Sequence, residues 1–159
     1  CLYLVALKQP MARDLRFIGT ALRIIVDIER MGDHAEEIAA IAVDLYEQPY
    51  IKPLIDIPRM AQIAQDMVLI SLEAFIARDI PRAMSLVEME KNIDSLYNQV
   101  FKDLLAYMMR DHDNIPQATS LLLVAGHLER IADHATNLGE MVIYMVEGRR
   151  VDFNVMARQ

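Results

Sequence analysis

The sequence predicts an all-α protein organised as an elongated, antiparallel helical bundle. Of its 159 residues, 54% are apolar and only 6% are aromatic, and it contains five glycines and six prolines. This composition favours helices over an all-β fold, and so much apolar surface disfavours disorder. Between the prolines, apolar residues recur at alternating three- and four-residue spacings, as they do in helices that bury one stripe against neighbours.

The prolines mark where the predicted helices begin and end, since proline is tolerated in the first turn of a helix and is costly in its interior. They stand at positions 10, 49, 53, 58, 81 and 116. The first long helix is expected from about Met11 to Glu47 and is followed by a proline-rich loop over residues 48–58. A second helix is expected over residues 57–77.

The second half of the chain is expected to hold two further helices. Asp79 followed by Pro81 is typical of an N-cap and first-turn pair, and it starts a third helix that ends near Arg110. After a short turn, the last helix runs from about Gln117 to Glu147. Gly148 is a plausible C-cap, because glycine adopts the left-handed conformation that often ends a helix.

Three predicted helices have a clear buried stripe. In the first the stripe is Ile18, Ala21, Ile25, Ile28, Gly32, Ala35, Ala39 and Ala42. In the third it is Leu86, Ile93, Tyr97, Val100, Leu104 and Tyr107. In the last it is Ala118, Leu121, Ala125, Leu128, Ala132, Ala135, Gly139 and Val142. The small residues of the first and last stripes are expected to permit close helix approach, although generic core filling by alanine is the simpler interpretation.

Charge and cysteine content exclude several classes of protein. The formal net charge is −7 and the sequence pI is about 5.0, so nucleic-acid binding is disfavoured. The single cysteine cannot form an internal disulfide, which fits a reducing compartment. No apolar run is expected to reach the roughly 18–20 residues of a membrane span. The chain starts at Cys1 within an apolar stretch and without an initiator methionine, so we expect it to begin inside a domain.

Two nine-residue segments of the chain resemble each other at an offset of one hundred positions. Residues 27–35 (DIERMGDHA) and residues 127–135 (HLERIADHA) share five identical residues and need no gap. A period of this size indicates duplication of a whole domain. Residues 1–50 are therefore expected to be the remnant of a first three-helix bundle, residues 57–149 a complete second bundle and residues 150–159 a tail. The tail of a preceding helix is expected at residues 1–8.

The repeated segments carry acidic pairs. Glu29 and Asp33 are four residues apart and share one helix face, and Glu129 with Asp133 repeats the pair. A third pair, Glu90 and Asp94, lies on the third predicted helix. Glu37 and Asn137 occupy equivalent positions one turn further along each repeat.

Counting outwards from the turn near position 113 places the last two helices in register. Asp94 is expected at the height of Asp133, Glu90 near Asn137, and Asn98 near Glu129. Four carboxylates and two amides would then converge, and such a cluster either takes up protons or holds cations. Oxygen ligands suit Mg²⁺, Mn²⁺, Ca²⁺ or Fe³⁺ and also accept Zn²⁺. The alternative is a solvated acidic face paired with Arg30 and Arg130.

The histidines are weaker candidate ligands. His34 and His134 follow the aspartates by one residue, about 100° round the helix, so packing or hydrogen bonding is the favoured interpretation. His127 replaces Asp27 in the repeat and is not expected to be a shared ligand. His112 lies in the turn and is expected to be solvated.

Four segments together resemble the PhoU family of phosphate-uptake regulators. They are QPMARDLR at residues 9–16, DIERMGDHA at 27–35, HLERIADHATN at 127–137 and YMVEGRRV at 144–151. The resemblance covers almost the whole chain. It implies tandem three-helix bundles of the up-down type, with the first bundle incomplete in this chain.

The resemblance also implies a function. Members of the family are cytoplasmic negative regulators of the phosphate-starvation response, and they associate with the phosphate ABC transporter and its sensor histidine kinase. A homodimer, and a location at the inner membrane only through partners, are expected. The family's E/D-x-x-x-D motifs bind metal clusters, with iron or zinc reported. That role would fall on Glu29, Asp33, Glu90, Asp94, Glu129 and Asp133.

Two other functions remain open from the sequence. A di-metal carboxylate oxidase needs Glu-x-x-His on two helices, and positions 32, 93 and 132 hold Gly, Ile and Ala instead. A structural bundle with a solvated acidic face is the other alternative. The sequence has no glycine-rich phosphate loop and no evident nucleophile–base pair, so an enzyme is not expected.

Overall fold

The computed structural model describes residues 2–157, and within that range the chain folds into seven α-helices and contains no strand. The helices are α1 (Leu2–Lys8), α2 (Ala12–Leu45), α3 (Asp56–Ala77), α4 (Ile80–Met84), α5 (Leu86–Arg110), α6 (Ile115–Glu147) and α7 (Phe153–Ala157). A 3₁₀ turn, His112–Asn114, joins α5 to α6. The all-α prediction is confirmed. Cys1 and the last two residues of the predicted tail lie outside the described residues.

Most predicted helix ends are close to the observed ones, and the caps explain why. The Asp79 carboxylate accepts a hydrogen bond of 3.0 Å from the backbone N–H of Arg82, and Gly148 ends α6 with a φ of 72°. The single third helix predicted from Pro81 is wrong, because the chain breaks at Ser85 into α4 and α5. There the Ser85 hydroxyl donates to the Arg82 carbonyl at 2.8 Å, a local bond that competes with helix continuation.

Helix α6 is the centre of the bundle, since α2, α3 and α5 all pack against it. Every residue of its predicted stripe is buried, and the predicted stripe of α5 is buried apart from two half-buried tyrosines. Helix α3 also contacts α5, so α3, α5 and α6 form a three-helix unit to which α2 is added. The division into residues 1–50, 57–149 and 150–159 stays a prediction.

The predicted stripe of α2 is wrong at most positions, although Ile18 is buried and Ala21 is half-buried. Ile25 and Ile28 are exposed, and the face that packs on α6 instead includes Thr20, Ile24 and Asp27. The apolar periodicity of the sequence predicts the adjacent face, because Thr20 and Asp27 on the buried face are polar.

Helix α3 corrects the expectation that no segment has the length and hydropathy of a membrane span. It has 22 residues and a mean hydropathy of 1.4 in its most apolar window. One face of α3 belongs to the bundle core, where Met60, Met67 and Ala74 are fully buried against the other helices. Length and composition alone therefore do not distinguish this helix from a core helix.

The loop between α2 and α3 is held by one side chain of α6. The Gln117 amide donates to the Pro49 carbonyl at 3.1 Å, and its oxygen accepts from the Ile51 N–H at 2.6 Å. Gln117 is buried, so these two bonds satisfy its amide where water has little access.

Gly139 is the position where a small residue permits close approach. A Cβ there would lie 2.7 Å from Leu86 Cδ1 and 2.9 Å from Phe153 Cε2. At Gly32, by contrast, a Cβ would meet nothing within 4 Å, so the expected close approach at that position is wrong.

We predict that Gly139→Ala lowers the free energy of unfolding by about 1–3 kcal/mol, because the new methyl group overpacks the core. Gly126→Ala on the same helix is the matched control, since its Cβ would meet only Tyr97 at 4.0 Å. The control should stabilise the protein by about 0.5–1 kcal/mol through helix propensity. Urea denaturation followed by circular dichroism measures both, and equal midpoints would contradict the prediction.

Candidate functional site

The acidic pairs of α5 and α6 lie side by side, as the count from the turn predicts. Glu90 is only 1% exposed, and the Thr136 hydroxyl donates to Glu90 Oε2 at 2.5 Å. The predicted register is therefore correct to within one residue, with Thr136 taking the place of Asn137 as the partner of Glu90. Asn137 lies in the wall of a cavity between α2 and α6.

The buried carboxyl groups hold their protons more tightly than ordinary glutamates. Burial raises the pKa of Glu90 to about 8, and a hydrogen bond with Asp133 and the charges of Asp133 and Asp94 act in the same direction. Burial also raises the pKa of Glu129, again helped by Asp133 and Asp94. Asp94 and Asp133 thus act on both Glu90 and Glu129, and with a pKa of about 8 Glu90 is mostly protonated at pH 7.

Asp94 and Asn98 are exposed on α5. The Asn98 amide donates to the backbone carbonyl of Asp94 at 2.8 Å, within its own helix. Asn98 therefore bonds to the backbone of its own helix in this structure. The charge of Asp94 helps to raise the pKa of both Glu90 and Glu129.

The acids of the first repeat have a different environment. Glu29, Asp33 and Glu37 are all exposed on α2. Asp33 accepts a hydrogen bond of 3.3 Å from Arg30 on the same helix. These three residues thus form a solvent-exposed acidic face, whereas Glu90 is buried.

Within residues 2–157, no three His, Cys, Asp or Glu side chains are gathered closely enough to enclose a metal ion. The α5–α6 acids nevertheless supply the donor chemistry of a hard-cation site, namely carboxylate oxygens with one of them buried. A cation there would offset the burial and the neighbouring negative charges that raise the pKa of Glu90.

A second polar cluster, at the α2–α6 interface, was missed by sequence reasoning. Asp27 is 4% exposed, and its Oδ1 accepts a hydrogen bond of 2.9 Å from His134 Nδ1. His34 Nδ1 lies 3.2 Å from His127 Nδ1, so one ring donates to the other. The hydrogen-bonding role predicted for His34 and His134 is confirmed, and His112 is exposed as predicted.

The partners in this cluster are related by the internal repeat. Asp27 and His127 are equivalent positions, and so are His34 and His134. Asp27 contacts His134, and the equivalent contact joins His127 to His34. This exchange of partners requires α2 and α6 to pack antiparallel about a local pseudo-twofold axis. The repeat itself could have revealed this pairing, because equivalent helices often pack symmetrically.

The His34 imidazole gives up its proton more readily than an ordinary histidine. Burial lowers its pKa, and the nearby His127, His134 and Arg130 lower it further, against the opposing charge of Asp33. A neutral ring fits the bond with His127, in which one nitrogen must accept.

The comparisons with known proteins agree with this architecture. The PhoU domain family matches residues 1–42 and 57–142 of the chain. A phosphate-specific transport system accessory protein PhoU homolog of Aquifex aeolicus is 44% identical over 151 residues, which cover 95% of this chain and 68% of that protein. The corresponding homolog of Deinococcus radiodurans is 37% identical over 150 residues, covering 94% of this chain and 70% of that protein.

A solved structure shows the same fold. The crystal structure of PhoU from Pseudomonas aeruginosa superposes with a TM-score of 0.90 at 34% identity, over 94% of this chain and 72% of that one. The chain thus spans about two thirds of the length of its relatives.

We predict that the stability of the metal-free protein falls as pH rises. The folded pKa of Glu90, about 8, lies above its ordinary value of 4.5, so between these values the folded state binds a proton that the unfolded chain has released. The stabilisation is present at low pH and is lost towards pH 8, with a slope of up to about 1.4 kcal/mol per pH unit. Glu90→Gln should flatten this dependence, as measured by urea denaturation with a chelator present.

The matched control for that measurement is Glu88→Gln, an exposed glutamate on the same helix. It should keep the pH dependence of the unmodified chain. A Glu90→Gln variant whose stability falls with pH as steeply as the control would contradict the assignment of the high pKa to Glu90.

His134→Ala should leave the buried Asp27 carboxylate without its hydrogen-bond donor. A buried acceptor that loses its hydrogen bond costs at least about 1–3 kcal/mol, so the melting temperature is expected to fall clearly. His112→Ala, in the exposed turn, should change stability by less than about 0.5 kcal/mol. Similar melting temperatures for the two variants would show that the hydrogen bond between His134 and Asp27 contributes little to stability.

Proposed function

Because this chain belongs to the PhoU domain family, we propose that it is a non-enzymatic accessory regulator of a phosphate-specific transport system. The family match over both halves of the chain carries the proposal. Its relatives are named as accessory proteins of that system, and the two matched segments of this chain each contain one copy of the internal repeat.

The test uses a bacterium that lacks its own member of the family and carries a reporter of the phosphate-starvation response. We propose that the regulation is negative, so expression of this chain should lower reporter activity in phosphate-rich medium. A reporter that stays fully active while the protein accumulates in folded form would contradict the proposal.

We further propose that the regulator acts in the cytoplasm, as a homodimer, through the ATPase of a phosphate ABC transporter and a sensor histidine kinase. Support comes from the exposed apolar side chains along α2, since large exposed apolar areas mark interaction surfaces. They include Leu22, Ile25, Val26 and Ile28. Crosslinking in cells followed by detection of the transporter ATPase tests the contact.

We also propose that Glu90, Asp94, Glu129 and Asp133 hold a cation, with iron, zinc, magnesium, manganese or calcium as candidates. Carboxylate oxygens are ligands that all of these ions accept. The buried Glu90 would supply the least solvated ligand, and its proton would be released on binding. The exposed acids Glu29, Asp33 and Glu37 of the first repeat would bind an ion more weakly.

Metal binding is predicted to raise the melting temperature of the chelator-treated protein, because a ligand that binds only the folded state stabilises it. Glu129→Gln combined with Asp133→Asn should abolish this rise and lower the bound metal measured by elemental analysis. Glu29→Gln combined with Asp33→Asn is the matched control from the first repeat, and it should retain most of the effect. Equal metal content in the two double variants would contradict the assignment.

A further inference from the structure

A cavity of about 530 Å³ lies between α2 and α6, near the segment that follows α6. Thr20 and Arg23 of α2 form one wall. The opposite wall is formed by Asn137, Glu140 and Tyr144 of α6, and Arg150 lies beyond the end of that helix. A volume of this size is in the range of small-molecule sites, which is roughly 300–1,000 Å³.

The hydroxyl of Thr20 is the most informative group in this cavity. Thr20 is 1% exposed, and its Oγ1 has no hydrogen-bond partner. A buried hydroxyl without a partner costs about 1–3 kcal/mol and needs an explanation such as a missing ligand.

Two other buried atoms without hydrogen-bond partners lie on the same helix. Among the described residues, the buried side-chain polar atoms that lack a partner are Thr20 Oγ1, Arg16 Nε and Asp27 Oδ2. Positions 16, 20 and 27 are four and seven residues apart, so all three share the face of α2 that is turned towards α6. Unsatisfied polar groups are thus concentrated along this one interface.

Two guanidinium groups border the cavity. Arg23 Nε is 3.8 Å from Asp27 Oδ2, beyond hydrogen-bond distance, and the Arg23 side chain is 66% exposed. The Arg150 guanidinium lies 6.0 Å from the centre of the Tyr144 ring. Arginine forks bind phosphate oxygens in pairs, and hydroxyl and amide donors complete such sites.

The one carboxylate in the walls is engaged by a backbone N–H group. Glu140 Oε1 accepts a hydrogen bond of 2.7 Å from the backbone N–H of Phe153. Burial raises the pKa of Glu140, and Asp152 adds to this effect while the Phe153 bond opposes it. Glu140 also offers an acceptor for a ligand hydroxyl group, which sulfate lacks at neutral pH.

From this geometry we propose that the α2–α6 cavity binds the phosphate group of a small, hydroxyl-bearing phosphate monoester. Arg23 and Arg150 contact the phosphate oxygens together with the Thr20 hydroxyl. Glu140 and Asn137 contact the organic part, for which the cavity has room beyond a single phosphate. The site rests on the cavity and does not depend on the proposed regulatory function, because binding is measured on the purified protein and regulation in cells.

The test is calorimetric titration of the full chain with adenosine monophosphate, glucose 6-phosphate, inorganic phosphate and sulfate at constant ionic strength. Binding of at least one phosphate compound in preference to sulfate is expected. Stronger binding of a monoester than of inorganic phosphate supports the proposal, and equal or stronger binding of inorganic phosphate contradicts the organic subsite. No binding of any phosphate compound overturns the proposal.

Variants assign the binding to this cavity. Arg23→Gln combined with Arg150→Gln should weaken phosphate binding at least about tenfold, the effect of losing charge-assisted hydrogen bonds. Arg59→Gln, an exposed arginine on α3, is the matched control and should bind normally. If the double variant binds as well as the control, the proposal is wrong.

Thr20→Val gives a second readout that separates binding from folding. Valine has nearly the shape of threonine without the hydroxyl, so the variant should melt at the same or a higher temperature when no ligand is present. Its affinity for the phosphate compound should nevertheless fall severalfold. A variant that is destabilised and still binds with full affinity would show that the hydroxyl has a structural role only.

Discussion

The packing of three long helices on α6 is the constraint on which the rest of this structure depends. A helix covered on several sides must be apolar or small over most of its circumference, and α6 meets this requirement with alanine and glycine between its larger side chains. Gly139 shows how tight the requirement is, because Leu86 and Phe153 occupy the space of a Cβ. The buried Glu90 and Asp27 are each held in place by a hydrogen bond to α6.

Polar groups buried along α6 appear in pairs, one on each side of the helix. Thr136 donates to Glu90 on the α5 side, and His134 donates to Oδ1 of Asp27 on the α2 side. A buried polar pair adds little net stability, but loss of either partner is costly. Such pairs therefore penalise any shift of register between the helices, and they keep the acidic cluster and the α2–α6 cavity at defined heights along the bundle.

The elements that the sequence predicts well are those whose buried face is wholly apolar. The stripe of α6 is buried in full, and the count from the turn places Glu90 within one residue of its partner because two straight helices joined by a short turn stay in register. The stripe of α2 fails because Thr20 and Asp27 occupy its buried face. The break at Ser85 and the His34–His127 contact depend on tertiary neighbours, which local patterns do not encode.

The pseudo-twofold relation between α2 and α6 has a consequence for how the two halves of the chain can differ. If the two halves were identical, any substitution at one position would occur twice, and Asp27 could not be opposed by a histidine without the same pair forming on the other side. Here the two equivalent contacts are chemically distinct, one being a carboxylate–imidazole pair and the other an imidazole–imidazole pair. Covalent fusion of the repeats thus allows the interface to carry a charge on one side of its axis only, an asymmetry that a symmetric dimer of single repeats could not encode.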